Sequence, residues 1–281
     1  MTFAPIIPAS GVTGFRLLSQ TEATQRAVFD RQPSLARDVD YFASKISDVT
    51  SAQDLVSDRR LLRVALGAFG LDDEIDKGAF VRKILAEGTE DPEAFANKLV
   101  DPRYVKFAKA FGFGDFLGAR TGDVGFSGEI TAAYKERQFE RAVGDQDPAM
   151  RLALNFRHEI ATYANAADPE NSAWFSVMGD LPVRNVFEGA FGLTSAFSQL
   201  DIDRQRDELK DLNNRFFGTK SLEVFQDSAE VENLINRFLV QKSIQDGPSA
   251  NTKGFTALTL LSNAATGVGN LSIQNLVLSS G

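Results

Sequence analysis

"RRLLRVALGAFGLDDEI" at 59–75 and "LPVRNVFEGAFGLTSAF" at 181–197 share the run Gly-Ala-Phe-Gly-Leu. In the first, Leu62, Leu66 and Phe69 recur at helical intervals before the second glycine. A glycine just past such a segment is a helix stop. It adopts the left-handed conformation that ends the helix, and the apolar residue after it folds back onto the last turn. Gly70 and Gly192 are then the stops, Leu71 and Leu193 fold back, and Phe69 and Phe191 anchor the turn from beneath. "KAFGFGD" at 109–115 places Gly112 in the same position. The rival reading is a glycine loop that cradles phosphate. Such a loop follows a strand and leads into Lys-Ser/Thr, and neither context is present. Gly112-x-Gly114-x-x-x-Gly118 also misses the dinucleotide fingerprint by one residue. The repeated stop predicts a helical chain built from two related subdomains.

The rest of the chain extends that pattern. "SQTE" at 19–22 has the form of a capping box and predicts a short helix from there to about Phe29. After Pro33, Leu35, Val39, Phe42 and Ile46 fall on one helical face. "SAQD" at 51–54 starts another helix. Asp91-Pro92, Asp101-Pro102, Asp147-Pro148 and Asp168-Pro169 are four further start signals. Asp caps free N–H groups, and Pro at the first helical position loses only a donor that had no partner. Gly88 and Gly144 are the matching stops. The glycine-rich stretch 112–128 is a loop or boundary, and a long helix begins at Ser127–Glu129. Only "LSIQNLVLSS" at 271–280 alternates like a strand. The expected fold is all-α and multihelical, with subdomains at 1–118 and 119–246 and a linker and irregular tail at 247–281.

Composition narrows the function. Hydrophobic residues make up 43% of 281, enough for a sizeable core. Phe occurs 23 times against one Trp and four Tyr, so most rings are core anchors without a polar end. The formal net charge of −8 argues against nucleic acid or an anionic membrane as main partner. No apolar run reaches the roughly 18–20 residues of a membrane span. Cys is absent, which excludes disulfides, thiolate chemistry and cysteine metal sites. The N-terminal stretch lacks the pattern of a cleaved export signal, so a cytoplasmic origin is expected.

No constellation predicts a reaction. The single histidine, His158, cannot supply an imidazole pair and is expected to be structural or at the surface. Asp72, Asp73, Glu74 and Asp76 precede Gly78, but their spacing fails the calcium-loop pattern in either register. They are expected in a solvated turn, favouring the start of the next helix. The mixed charges of 199–218 describe an exposed helix face. No catalytic, cofactor-binding or metal-binding residue is assigned.

The motifs around the first stop resemble a bacterial family, the domain of unknown function 1217. The resemblance runs through "LVSDRRLLRVALGAFGLDDEIDKGAFVRKILAEGTEDPEAFANKLVDPRYVKFAKAFGFG" (55–114), with "YFASKISDVTSAQDLV" (41–56) before it. "ENSAWFSVMGDLPVRNVFEGAFGLTSAFSQLDIDRQ" (170–205) and "VENLINRFL" (231–239) follow. It covers roughly residues 35–245. It implies two helical subdomains and an association with the bacterial flagellum, and it carries no catalytic residues. The expected function is a non-enzymatic structural or interaction protein in flagellum assembly or motility. The alternative is a cytoplasmic export chaperone or regulator of flagellar components. Other proteins, including flagellar components or a second copy of the chain, are the expected partners, met in the cytoplasm or on the flagellum. The sparsely charged tail after 247 is a docking candidate.

Overall fold

The computed structural model describes residues 3–246. Among them are twelve α-helices and no strand, so the fold is all-α and multihelical as expected. The tail at 247–281, with its alternating run, lies outside the described residues. The described residues up to Gln241 form one compact unit.

The element order repeats. The first half runs α1 (Gly11–Phe29), α2 (Pro33–Lys45), α3 (Ala52–Ser57), α4 (Arg59–Ala68), α5 (Gly78–Glu87) and α6 (Pro102–Phe111). The second runs α7 (Phe126–Gly144), α8 (Pro148–Ala164), α9 (Ser172–Gly179), α10 (Leu181–Phe191), α11 (Ile202–Phe217) and α12 (Ser228–Asp246). Short 3-10 turns recur between the fourth and fifth helices (Asp72–Glu74, Phe197–Gln199) and between the fifth and sixth (Phe95–Lys98, Leu222–Gln226). The position 118/119 falls in the loop between α6 and α7. Helix α1 lies against α7 and α8, while α7 packs on α2 and α4. One continuous apolar core therefore runs through both halves.

Both Gly-Ala-Phe-Gly runs are helix stops of one type. Gly70 and Gly192 have φ of +67° and +69°. Leu71 N–H donates to Leu66 O, and Gly70 N–H to Gly67 O, at 2.9 and 3.2 Å. Leu193 N–H donates to Glu188 O, and Gly192 N–H to Gly189 O, at the same two distances. These paired bonds satisfy the carbonyls left over at a helix end. The first glycine of each run serves packing. A Cβ on Gly67 would stand 2.7 Å from the Tyr134 ring, and one on Gly189 would stand 2.6 Å from the Phe238 ring. Gly112 closes α6 with a left-handed residue and a single bond, Gly112 N–H to Ala108 O at 2.9 Å.

Several local expectations need correction. Helix α1 starts at Gly11, so "SQTE" lies inside it and caps nothing. The Ser19 hydroxyl instead accepts from Arg157 Nη2 at 2.9 Å. Asp101 and Asp147 do cap α6 and α8, with Pro next. Asp91 and Asp168 cap turns: Asp91 accepts from Glu93 N–H, and Asp168 holds Asn171 and Ser172 N–H just before α9. Gly144 is the last residue of α7 and keeps negative φ. It is small because the Arg151 side chain crosses it, where a Cβ would fall 2.5 Å from Arg151 Cδ.

Phenylalanine fills the core as its abundance predicts. Phe69, Phe107, Phe111 and Phe126 meet edge-on or tilted in the first half. Phe156, Phe187 and Phe225 do so in the second, with Trp174 against Phe187. Each ring withdrawn from water stabilises by roughly 2–3 kcal/mol.

Candidate functional site

Where the turn after α4 faces the start of α10, a cleft of about 410 Å3 opens. Residues 69–74 form one wall and Asp180–Pro182 another. Arg103 of α6 and the inward faces of α7 and α8 complete it. Its shape follows from the stop at Gly70. The left-handed residue turns the chain so that Gly70 O accepts from Arg103 Nη1 at 2.7 Å. The same guanidinium grips Asp101, the cap of its own helix, through Nε at 3.0 Å and Nη2 at 2.6 Å.

Behind this wall is a buried ionic network. Glu159 of α8 accepts from Lys106 Nζ of α6 at 2.6 Å and from Arg137 of α7. One carboxylate thus ties three helices. Burial opposes its ionisation, but the Lys106 and Arg137 cations outweigh that and hold Glu159 below the usual carboxylate range. Arg137 also donates to Glu140 Oε2 at 3.0 Å. Glu140 is 2% exposed, and burial pushes its carboxyl up despite Arg137. Its second oxygen, Oε1, accepts no hydrogen bond, and neither does the buried Asn155 Oδ1.

Asp180 joins the network from the α10 side. It caps α10 through Val183 N–H at 3.3 Å, and Tyr163 O–H donates to it at 2.6 Å. At 1% exposure, burial and the nearby Glu159 raise the Asp180 carboxyl against the pull of Tyr163 and Lys106. Burial beside Asp180 drives the Tyr163 phenol well above its ordinary range, so it stays protonated and donates. Lys106 Nζ also sits 5.0 Å from the Tyr163 ring centre.

The residues weighed from sequence are placed differently. His158 is on the surface of α8, with Nδ1 3.2 Å from Glu136 Oε2. The acids at 72–76 do not cap α5, whose N-cap is Lys77. They reach across the fold: Asp72 pairs with Arg141 at 3.2 Å and Asp76 with Arg59 at 2.6 Å. No group of three or more potential ligands that could hold a metal occurs among the described residues. On α11, Asp207 pairs with Arg206 and Asp211 with Lys220, on an exposed face as expected. Sequence reading missed Arg137, Glu140, Glu159 and Asp180. A usable signal was present: Tyr41, Asp58, Gly67 and Gly70 recur as Tyr163, Asp180, Gly189 and Gly192, each 122 positions later.

A family model described as a protein of unknown function, DUF1217, matches residues 68–231. The chain belongs to the DUF1217 family. Every residue lining the cleft falls inside that match, so the cleft is made wholly from the DUF1217 region. The X-ray structure of protein AGR_C_984 from Agrobacterium tumefaciens is similar at 29% identity and a TM-score of 0.70. The likeness covers 88% of this chain and 98% of that one. No curated protein matches. Among the described residues no helix is long and apolar enough to cross a membrane.

Proposed function

We propose that this DUF1217 protein is a structural or interaction protein of the bacterial flagellum, without enzymatic activity. The flagellar part rests on the family resemblance. The contact role rests on the loop between α6 and α7, which carries Phe116 and Leu117 at 91% and 88% exposure, with Val124 exposed nearby. Large apolar side chains held out in water mark a surface meant to be covered. The loop is held in place. Asp115 accepts from Thr89 N–H at 2.6 Å, Phe116 N–H donates to Glu90 Oε2 at 2.8 Å, and Thr121 O–H donates to Val49 O at 2.6 Å. Gly114 backs onto Gly88, where a Cβ would stand 2.3 Å from Gly88 N. Such fixing lowers the entropy lost when a partner binds.

The test is fractionation of flagellated cells of the source bacterium, with the wild-type protein and a Phe116→Ser/Leu117→Ser variant. The expected result is copurification with filament or basal body, lost in the variant while its helical content is unchanged. Recovery only in cytosol with an exported client supports the chaperone alternative. Recovery in cytosol without any partner refutes both readings.

A further inference from the structure

We infer that the loop between α6 and α7 receives a basic amphipathic helix of a partner polypeptide. The apolar face of that helix lies on Phe116 and Leu117, and its Lys or Arg edge meets Glu90, Asp91 and Asp115. The inference rests on the contact reading of the same loop and names the chemistry of what covers it. Local charge carries it. Phe116 N–H donates to Glu90 Oε2 at 2.8 Å, and Thr89 N–H donates to Asp115 at 2.6 Å. These bonds fasten the turn after α5 beside the exposed apolar pair. Six carboxylates lie within 87–98 and 115–124, and three of them are matched. Lys83 pairs with Glu87 at 3.9 Å, Lys98 with Glu93 at 2.8 Å and Arg120 with Asp123 at 3.3 Å. Glu90, Asp91 and Asp115 have no cation partner among the described residues. Lys109, in the last turn of α6, offsets at most one of them, and Arg82 of α5 is turned to Gln53 at 3.1 Å. Exposed apolar side chains beside unmatched carboxylates select a partner that is apolar and positive at once. An amphipathic helix offers the two as adjacent stripes. A second copy fits badly. A two-fold contact through this loop sets the same carboxylates near one another, between chains of net charge −8.

The test is fluorescence anisotropy of the full chain with two labelled amphipathic peptides of about five helical turns, one of Leu and Lys and one of Leu and Glu. Saturable binding of the Lys peptide, weakened by salt, with none of the Glu peptide, is the expected result. Phe116→Ser/Leu117→Ser should weaken it by about tenfold or more, as loss of a central apolar anchor does. Glu90→Gln/Asp91→Asn removes two charges but keeps acceptors for the N–H groups of Phe116 and Glu93. It should weaken binding by about threefold or more. Asp203→Asn/Asp207→Asn removes two charges from the exposed face of α11 and should leave binding unchanged. The inference is overturned if the Lys peptide does not bind, or if the α11 variant weakens it as much as Glu90→Gln/Asp91→Asn, which would be general attraction to an acidic chain. It is also overturned if the Glu peptide binds as tightly, or if the chain sediments as a dimer that Phe116→Ser/Leu117→Ser dissociates. In any of these cases, copurification with the flagellum that is lost in Phe116→Ser/Leu117→Ser still upholds the contact reading. The two failures are therefore distinguishable.

Discussion

The two halves solve one problem in two environments. Each starts its fourth helix with an aspartate that accepts a tyrosine hydroxyl from 17 residues upstream, at 2.6 Å in both. Each ends that helix on Gly-Ala-Phe-Gly. In the first half the Tyr41–Asp58 pair meets solvent, and Arg60 stacks on the Tyr41 ring at 3.9 Å. In the second, Tyr163 and Asp180 are both buried, and Asp180 lines the cleft. Burial weakens water as a competitor for hydrogen bonds, so the same pair becomes costlier to break.

The largest expected contrast is between the two caps. Asp58→Ala removes two cap bonds at the surface and should cost about 1 kcal/mol. Asp180→Ala removes a cap and leaves the buried Tyr163 hydroxyl without an acceptor, and should cost about 3 kcal/mol. Urea denaturation of the purified variants measures both. Equal losses would mean that the depth of Asp180 adds nothing and that water reaches its site.

The glycines separate packing from backbone geometry. Gly67→Ala and Gly189→Ala each drive a methyl group into an aromatic ring from another helix. The overpacking exceeds the gain in helix propensity, for a net loss of about 2 kcal/mol. Gly70→Ala and Gly192→Ala meet no such obstacle: the nearest atom to a Cβ on Gly70 is Arg103 Nη1 at 3.5 Å, and nothing lies within 4 Å of one on Gly192. They should lose only about 1 kcal/mol each, the cost of a left-handed backbone with a side chain. A thermal melt of the four variants checks this order. If Gly70→Ala loses clearly more than Gly192→Ala, the excess reports the Arg103 clamp on Gly70 O.

What the sequence made legible was what short chain segments decide. The stops at Gly70, Gly112 and Gly192 and the caps at Asp101 and Asp147 are set by residues within one turn, and all formed. Ser19 failed because its motif is equally short while the outcome is long-range: α1 extends back to Gly11, and Ser19 serves Arg157, 138 residues away. The cleft was illegible for the same reason. Lys106, Arg137 and Glu159 are ordinary helix charges until α6, α7 and α8 are brought together. Glu140 sits beside Phe139, a core residue, but nothing local shows that it is buried as well. Only the repeat at 122 positions linked Asp180 to a structural role, since it pairs that residue with a second Tyr–Asp cap.

Proton linkage gives the two caps opposite signs. At Asp58 desolvation works against ionisation, but the Tyr41 hydroxyl and the N–H groups of Leu61 and Arg60 outweigh it and hold the carboxyl below its ordinary 3.8. Stability from that charge is present above the unfolded value and is lost as pH falls through the folded one. At Asp180 burial dominates, Glu159 adds repulsion, and Tyr163, Val183 N–H and Lys106 only partly compensate, so the carboxyl is raised. Its contribution is full below the unfolded value and is lost as pH rises through the folded one. Asn keeps a cap and removes the charge. As pH rises toward the unfolded value the stability advantage of wild type over Asp58→Asn should therefore grow and then level off, while its advantage over Asp180→Asn should shrink as pH climbs above that value. Slopes of the same sign would mean that Lys106 and Arg103, whose charges also reach this corner, compensate Asp180 fully. The second pair would then be a charged cap like the first, and burial would have changed its surroundings without changing its chemistry.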